Sequence, residues 1–342
     1  MATILGIESS CDETAASICR DGEILSNVIA NQTIHQQWGG VVPELASRAH
    51  LQNIVPTVEA AIEKSGIATG NGNKFSSINA IAFTQSPGLI GSLLVGTQFA
   101  KSLSLGLNLP LIAVHHMQAH VLANLIPAPG KPLPSFPFLC LTVSGGHTQI
   151  VLCESPNELK VLGETIDDAA GEAFDKSGKL LGLPYPAGPL IDRHAANGNG
   201  KRFTFAQPNI PALDFSFSGL KTSILYFLQD RIKEDPDFVQ KHLDDLCASI
   251  QYTIIEILLK KLKRAAIQTG IKDICLAGGV SANRGLRKAF EELCSREKWN
   301  SFIPPFEYCT DNAAMIAITG YYKFLDKDFA ELTVSPSAKA EF

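Results

Sequence analysis

Residues 138–153 read FLCLTVSGGHTQIVLC, an apolar segment, a small polar turn and a second apolar segment. Residues 3–19 read TILGIESSCDETAASIC and repeat this plan near the start of the chain. Each block predicts two strands joined by a polar loop, and Asp21-Gly22 predicts a hairpin turn into a third strand over 23–30. Because the same plan opens both halves of the chain, we expect a duplicated fold of two similar lobes.

Helical patterns follow both blocks, so strands and helices alternate along the 342 residues. That alternation is typical of α/β proteins, and a chain of this length usually exceeds a single core. We expect a first lobe of residues 1–110 and 326–342, and a second of residues 111–325 with an irregular insertion at about 183–240. The expected helices cover about 43–64, 89–105, 116–125, 168–181, 243–268, 284–297 and 312–325.

The composition limits the classes of function. A net charge of −5 argues against a generally basic nucleic-acid surface, although a local basic patch is compatible with it. No uninterrupted apolar run is long enough for a membrane span, and the N-terminus lacks the basic start of a signal peptide. The eight cysteines form no CxxC pair, so we expect reduced thiols in a cytoplasmic protein.

The stretch from Val114 to His120 holds three of the eight histidines. It follows a predicted buried strand and begins a predicted helix, which places His116 and His120 one turn apart on the same face. Such a pair is a common way to hold a divalent metal, whereas the alternative is a buried or helix-capping histidine cluster. Asp311, just before the last helix, is either that helix's N-cap or a third, oxygen ligand for the same ion.

Two glycine-containing turns are candidate anion sites. Ser144–Thr148 joins two predicted strands, and its backbone N–H groups are suited to an anion nest or simply to a hairpin. Ala277–Asn283 leads from a strand into a helix, where phosphates are often held. Asn283 either contacts a ribose or base, or caps the helix. Gly171, within a predicted helix, indicates the close approach of another backbone.

Several familiar motifs are missing from the sequence. It contains neither the Walker-type GxxxxGK[ST] loop nor the GxGxxG dinucleotide fingerprint. A zincin protease carries Glu directly after its first metal-binding histidine, but Met117 follows His116 here, which disfavours a metallopeptidase. A small-molecule kinase of a related two-lobed fold is the other alternative.

Taken together, the motifs resemble those of the bacterial tRNA adenosine threonylcarbamoyltransferases of the TsaD type, formerly called glycoproteases. The resemblance extends from about residue 4 to residue 325. It rests on the blocks GIESSCDET (6–14), GGVVPELASR (39–48), HHMQAH (115–120), VSGGHT (143–148), DDAAGEAFDK (167–176), DFSFSGLKT (214–222), AGGVSANR (277–284) and CTDN (309–312).

The resemblance implies a two-lobed fold of the actin/hexokinase/Hsp70 type. It also implies transfer of a threonylcarbamoyl group from threonylcarbamoyl-AMP to N6 of adenosine 37, in tRNAs that read codons beginning with adenine. The family's metal ligands fall on His116, His120 and Asp311, and the ion is expected to be iron or zinc. Its adenylate contacts fall on Thr142, Val143, Ser144, Gly145, Gly146, Asp175, Gly188, Asp192 and Asn283.

For proton transfer, the candidates are Glu13, Asp12 and His147. The implied partners are tRNA, a paralogous TsaB-type subunit, a TsaE-type ATPase and a TsaC-type synthase that supplies the intermediate. A homodimer is possible for the isolated chain. Candidate tRNA contacts are Lys201, Arg202, Lys221 and the cluster Lys260–Arg264. One departure from the family is Ala187 in place of a usual glycine, a methyl group expected to narrow one edge of the adenylate pocket.

Overall fold

A computed structural model describes residues 1–32, 35, 38, 40–67, 73–208 and 210–339. Gly39, in one of the family-like motifs, lies outside the described residues. The chain divides into two compact units. The first comprises Met1–Pro134, Glu154–Leu159 and Pro304–Phe342, and the second comprises Ser135–Cys153 and Lys160–Ile303.

The sheet of the first unit has the order β3-β2-β1-β4-β5. β1 pairs antiparallel with β2, which pairs antiparallel with β3, while β4 runs parallel to both β1 and β5. The sheet therefore joins an antiparallel meander to a parallel half. Its strands are β1 (Thr3–Glu8), β2 (Thr14–Arg20), β3 (Glu23–Ala30), β4 (Ala80–Ser86) and β5 (Leu111–His115).

The sheet of the second unit has the order β10-β9-β6-β7-β8. β6 pairs antiparallel with β7 and parallel with β9, and β9 pairs parallel with β10. In reverse, the order is β8-β7-β6-β9-β10, which matches β3-β2-β1-β4-β5 strand for strand. This match confirms the expected duplicated α/β architecture. The strands are β6 (Phe138–Val143), β7 (Thr148–Ser155), β8 (Glu158–Glu164), β9 (Asp273–Ala277) and β10 (Asn300–Phe302). β8 and β10 were not among the predicted strands.

The helices agree with most of the predicted segments. The fourth begins at Ala170 rather than at residue 168, and the stretch expected to be irregular contains three helices. None of the described helices has the length and apolarity required to cross a membrane. The helices are α1 (Pro43–Ser65), α2 (Ile90–Leu107), α3 (His116–Leu122), α4 (Ala170–Leu180), α5 (Gly188–Ala195), α6 (Ser218–Glu234), α7 (Phe238–Lys241), α8 (Leu243–Thr269), α9 (Arg284–Glu297) and α10 (Ala313–Leu325).

The two units divide the chain differently from the expected lobes. Residues 111–134 and 304–325 were expected in the second lobe, but both pack in the first unit. β5 belongs to the first sheet because it pairs with β4, and α10 packs against β1. A linear sequence does not show that its last helix returns to its first strand.

Two glycines let α10 approach the first sheet closely. A Cβ at Gly6 would lie 2.7 Å from the carbonyl oxygen of Ala313 and 2.7 Å from the amide of Ala317. A Cβ at Gly320 would lie 2.5 Å from the Cβ of Ala82. Larger residues would force the helix away from the strands. The start of α10 is therefore held against β1. The loop that follows β1, residues 9–13, is called the acidic loop below.

The sheet of the first unit is covered by buried apolar side chains on both faces. α10 contributes to one face and α1 to the other, while a single large cluster forms the core of the second unit. None of the eight cysteines forms a disulfide, and all except Cys11 are buried. Burial raises the pKa of Cys140 to about 12, so this core thiol stays protonated.

Candidate metal centre and the surrounding site

His116 and His120 lie on α3, the short helix that begins directly after β5. Both side chains are buried, and their imidazole rings meet edge to face with centroids 4.7 Å apart. Asp311 lies just before α10 and directs its carboxylate at both rings. The structure thus brings together the three residues that the sequence predicted as metal ligands, across 191 positions of the chain.

The spacing of the three ligand atoms fits a metal ion. Nε2 of His120 lies 3.2 Å from Nε2 of His116 and 3.2 Å from Oδ1 of Asp311, and the third side of the triangle is 3.4 Å. A tetrahedral ion with bonds of about 2.0–2.1 Å has ligand atoms about 3.3 Å apart. Two imidazole nitrogens and one carboxylate oxygen are also a donor set suited to a first-row divalent metal.

Glu8 holds His116 in the orientation that a metal ligand requires. Its Oε2 lies 3.1 Å from Nδ1 of His116, and the Glu8 side chain is fully buried. The carboxylate also accepts hydrogen bonds from the amide of Ser10 and from Oγ1 of Thr84 at 2.6 Å. Since the carboxylate fixes the proton on Nδ1, Nε2 of His116 keeps its lone pair for a metal. Sequence reasoning missed this residue, although its position at the end of a buried strand was visible.

Burial and neighbouring charges together shift the pKa values of the residues in this cluster. Burial lowers the pKa of His116, but Asp311 and Glu8 outweigh burial and raise it well above its usual value. Burial lowers the pKa of His120. Burial also opposes ionisation of Asp311, yet the two histidines hold its pKa far below the usual range. The carboxylate is therefore ionised and ready to bind a cation.

Asp311 and Asn312 have separate roles at the start of α10. Oδ1 of Asn312 accepts a hydrogen bond from the amide of Met315 at 3.1 Å, so Asn312 is the N-cap. Nδ2 of Asn312 donates to the carbonyl of Thr310 at 2.8 Å. The capping interpretation of Asp311 is therefore wrong, because its neighbour performs that function and leaves the Asp311 carboxylate free to face the histidines.

The loop between β1 and β2 carries two of the candidates for proton transfer, Asp12 and Glu13. Burial, the charge of Asp311 and the charge of Asp12 raise the pKa of Glu13 to about 9. In the metal-free protein, Glu13 thus carries a proton at neutral pH. A carboxyl group with a raised pKa is a stronger base once that proton has been removed.

In the second unit, the predicted anion loop is a tight hairpin. The amide of Ser144 donates to the carbonyl of His147 at 2.8 Å, and the amide of His147 donates to Oγ of Ser144 at 3.0 Å. A Cβ at Gly145 or Gly146 would meet nothing within 4 Å, so both glycines face open space. Gly171 lies against this loop, since its Cβ would be 2.6 Å from the Ser144 carbonyl oxygen, as its position in the sequence suggested.

Two other predicted adenylate contacts in this unit, Asp175 and Asp192, accept hydrogen bonds from backbone amides. Oδ1 of Asp175 accepts from the amide of Gly188 at 3.3 Å, at the start of α5. Asp192 accepts from the amides of Arg284 and Gly285 at 3.1 Å each, at the start of α9. The structure therefore gives both carboxylates a role in fixing helix starts.

Asn283 is the N-cap of α9, which is one of the two roles predicted for it from the sequence. Its Oδ1 accepts from the amide of Leu286 at 2.8 Å, and its Nδ2 donates to Oε1 of Gln251 at 2.6 Å. Ala187 is buried, and its methyl group lies over Gly178, where an added Cβ would be 2.2 Å away. The methyl group thus fills the space between α4 and α5.

Two of the family-like motifs meet at Asp167. Its carboxylate accepts from the amide of Phe217 at 2.8 Å and from Oγ of Ser218 at 2.8 Å, at the start of α6. Burial opposes the ionisation of Asp167, but these hydrogen bonds and one from Ser216 outweigh burial and lower its pKa. Asp167 thereby ties residues 167–176 to residues 214–222.

Most of the basic candidates for tRNA contact have structural partners. Nζ of Lys261 donates to the carbonyls of Ile210 at 2.6 Å and Ala212 at 2.9 Å, and Arg264 also donates to Ala212. Lys263 pairs with Glu297, and Arg202 pairs with Asp245. The remaining candidates are solvent-exposed: Lys260, Lys221 and Lys201, whose Nζ lies 6.0 Å from the ring centroid of Tyr252.

A family model and the similar proteins of known name indicate the same family for this chain. The model of TsaD, the tRNA N6-adenosine threonylcarbamoyltransferases, matches residues 23–318. A protein of that name from Christiangramia forsetii is 57% identical over 99% of this chain and 98% of its own length. Its counterpart from Porphyromonas gingivalis is 57% identical over 98% of this chain and 97% of its own length.

A solved structure of full-length HypF in a phosphate- and nucleotide-bound form shares the fold, with a TM-score of 0.62 at 13% identity. The alignment covers 96% of this chain but only 47% of that one, so the chain spans about half of HypF. At this level of identity, the likeness concerns the fold alone.

Proposed function

This chain belongs to the tRNA N6-adenosine threonylcarbamoyltransferase family, and from that membership we propose how its residues carry out the transfer. The reaction moves the threonylcarbamoyl group of threonylcarbamoyl-AMP to N6 of adenosine 37, in tRNAs that read codons beginning with adenine. It forms the modified nucleoside t6A and releases AMP. Neither a metallopeptidase nor a small-molecule kinase is favoured by the relatives of this chain.

The observation that carries the proposal is the triangle of ligand atoms from His116, His120 and Asp311, with sides of 3.2–3.4 Å. These residues would hold one divalent ion, with iron(II) proposed first and zinc as the alternative, since nitrogen and oxygen donors suit both. When bound, such an ion supplies Lewis-acid polarisation of an oxygen of the acyl-adenylate.

The residues around this centre prepare it for a ligand and handle protons. Glu8 holds the His116 ring so that Nε2 faces Asp311. Adenosine N6 must lose a proton when it forms the new bond to the carbamoyl carbon. We propose Glu13, in its ionised form, as the acceptor of that proton. Asp12 and His147 are the alternative acceptors.

The second unit supplies the proposed adenylate contacts. Nothing lies within 4 Å of the Cβ positions of Gly145 and Gly146, which leaves room for a phosphate beside this glycine turn. Gly188 lies at the start of α5, and Asp175 fixes its amide. The full proposed set is Thr142, Val143, Ser144, Gly145, Gly146, Asp175, Gly188, Asp192 and Asn283.

The proposed partners follow from the chemistry of the reaction and from the family. tRNA is the acceptor, and Lys201, Lys221 and Lys260 are the exposed basic side chains proposed to meet its phosphates. A TsaC-type synthase would supply the adenylate, and a TsaB-type subunit and a TsaE-type ATPase would complete the assembly. The isolated chain is proposed to form a homodimer, and its location is the cytoplasm.

Transfer with preformed threonylcarbamoyl-AMP and unmodified tRNA tests this assignment directly. His116→Ala and Asp311→Ala should lose both bound metal and t6A formation, whereas His194→Ala, in the second unit, should retain both. Metal content measured on the same samples reports the ion, and circular dichroism reports whether each variant keeps its fold. Wild-type transfer by the His116→Ala protein would contradict the metal assignment.

A further inference from the structure

His50 lies on α1 and is completely buried, and both of its ring nitrogens contact the segment that carries the acidic loop. We infer that His50 is a positioning residue for the transfer: it fixes the loop of residues 9–13 relative to His116. This inference rests on the proposed function, because that function gives the loop its task. His50 lies in none of the sets proposed above for the metal, the adenylate or proton transfer.

The two hydrogen bonds of His50 define its tautomer. Nε2 lies 3.0 Å from the carbonyl oxygen of Cys11, which can only accept, so Nε2 carries the proton. Nδ1 lies 2.7 Å from Oγ1 of Thr14 and therefore accepts the hydroxyl proton of that buried threonine. One neutral imidazole thus holds the loop at its middle and at its exit into β2.

Helix α2 and the turn before it complete the clamp. Oγ of Ser92 donates to the same Cys11 carbonyl at 3.0 Å, and the amide of Leu89 donates to the carbonyl of Ser10 at 2.7 Å. Gly88 and Gly96 allow this approach, since a Cβ at Gly88 would lie 2.5 Å from the Ser10 carbonyl oxygen. The backbone of the loop is therefore held by hydrogen bonds from both α1 and α2, which meet at the carbonyl of Cys11.

The position of the loop matters because its side chains reach the candidate metal centre. Oγ of Ser10 lies 3.2 Å from Nδ1 of His116, next to the Glu8 carboxylate. Cys11, which His50 holds, directly follows Ser10 and precedes Asp12 and Glu13. A shift of the Cys11 carbonyl therefore displaces both the hydrogen bond to His116 and the carboxyl group assigned to proton transfer. Displacements of about 1 Å at such groups can cost on the order of 100-fold in rate.

Two substitutions separate the two hydrogen bonds. In His50→Gln, the side-chain amide nitrogen takes the place of Nε2 and keeps the donor to Cys11. In His50→Asn, the amide oxygen takes the place of Nδ1 and keeps the acceptor for Thr14, but the donor to Cys11 is lost. A residue that merely fills space would respond to both changes alike, whereas a positioning residue should be rescued by Gln.

We expect His50→Asn to lower kcat on the order of 100-fold with little change in KM for the adenylate, and His50→Gln to recover most of the rate. In metal-free protein, the Nδ1 resonance of His116 in 15N-histidine NMR should move in His50→Asn and stay in place in His50→Gln. His194→Asn, at a partly exposed histidine of the second unit, is the matched control for both measurements.

Unchanged kcat in both His50 variants would overturn the inference, and so would equal losses in both with an unmoved His116 resonance. Should His50→Asn not fold, Thr14→Val tests the same clamp, since it removes only the hydroxyl that holds Nδ1; an unmoved His116 resonance and unchanged kcat there would also overturn it. If the wild-type protein itself transfers nothing, the proposed function fails, and the His116 resonance then decides the role of His50 separately.

Discussion

Oε2 of Glu8 lies 3.1 Å from Nδ1 of His116, although 108 positions of the chain separate the two residues. Glu8 ends β1, and His116 begins α3 directly after β5. β4 runs parallel to both strands, so β1 and β5 end at the same edge of the sheet. The sheet order itself therefore brings together the carboxylate and the imidazole that it orients.

Loss of this carboxylate should weaken metal binding without unfolding the protein. We expect Glu8→Gln to reduce metal affinity by about 10- to 100-fold, since an outer partner of a ligand histidine typically contributes that much. Competition with a calibrated chelator measures the affinity. Glu23→Gln, on the exposed start of β3, is the control and should bind metal like the wild type. Equal affinity in the two variants would show that Glu8 does not act through His116.

Mutation should separate the role of Asn312, the N-cap of α10, from the role of Asp311, the proposed metal ligand beside it. We expect Asn312→Ala to lower the free energy of unfolding by about 1 kcal/mol, because the amide of Met315 loses its acceptor. Urea denaturation of metal-free protein measures this change. Asp311→Asn should instead lose metal binding while it keeps the cap, and a cap loss in that variant would contradict the division of roles.

The packing of α10 on β1 should tolerate no side chain at Gly6. We expect Gly6→Ala to destabilise the fold by about 1–3 kcal/mol, since the new methyl group would overlap the backbone of Ala313 and Ala317. Gly106→Ala is the matched control, because nothing lies within 4 Å of its Cβ in the last turn of α2. That control should be neutral or stabilising by up to about 1 kcal/mol, as Ala favours helices more than Gly. Thermal unfolding of both proteins distinguishes the two effects.

Acid should destabilise the protein partly through His50. Burial lowers the pKa of His50 below its usual value of 6.5, so the folded state binds a proton less readily than the unfolded state. The stability from neutral His50 is thus fully present above pH 6.5 and is lost as the pH falls towards the folded-state pKa. Denaturation between pH 7.5 and about 5.5 should show a smaller decline for His50→Gln than for the wild type; equal slopes would contradict this.

Much of the architecture was predictable from local patterns. The repeated blocks at 3–19 and 138–153 predicted the duplicated meander, because apolar runs and turn residues are features of a few neighbouring positions. The spacing of His116 and His120 predicted their shared face for the same reason. The strands β8 and β10 were missed, since β8 has a single buried residue and β10 has three residues.

Donor chemistry and backbone periodicity are local properties, so the amino-acid sequence was enough to identify the possible metal ligands and the short segments that form strands and helices. The folded structure was needed to show that Asn312 rather than Asp311 caps α10, that Glu8 orients His116, and that His50 clamps the acidic loop. Those contacts depend on strand order and on the close approach of α10 at Gly6. Both arise from packing between residues far apart in the chain, and no local pattern encodes the distance between them.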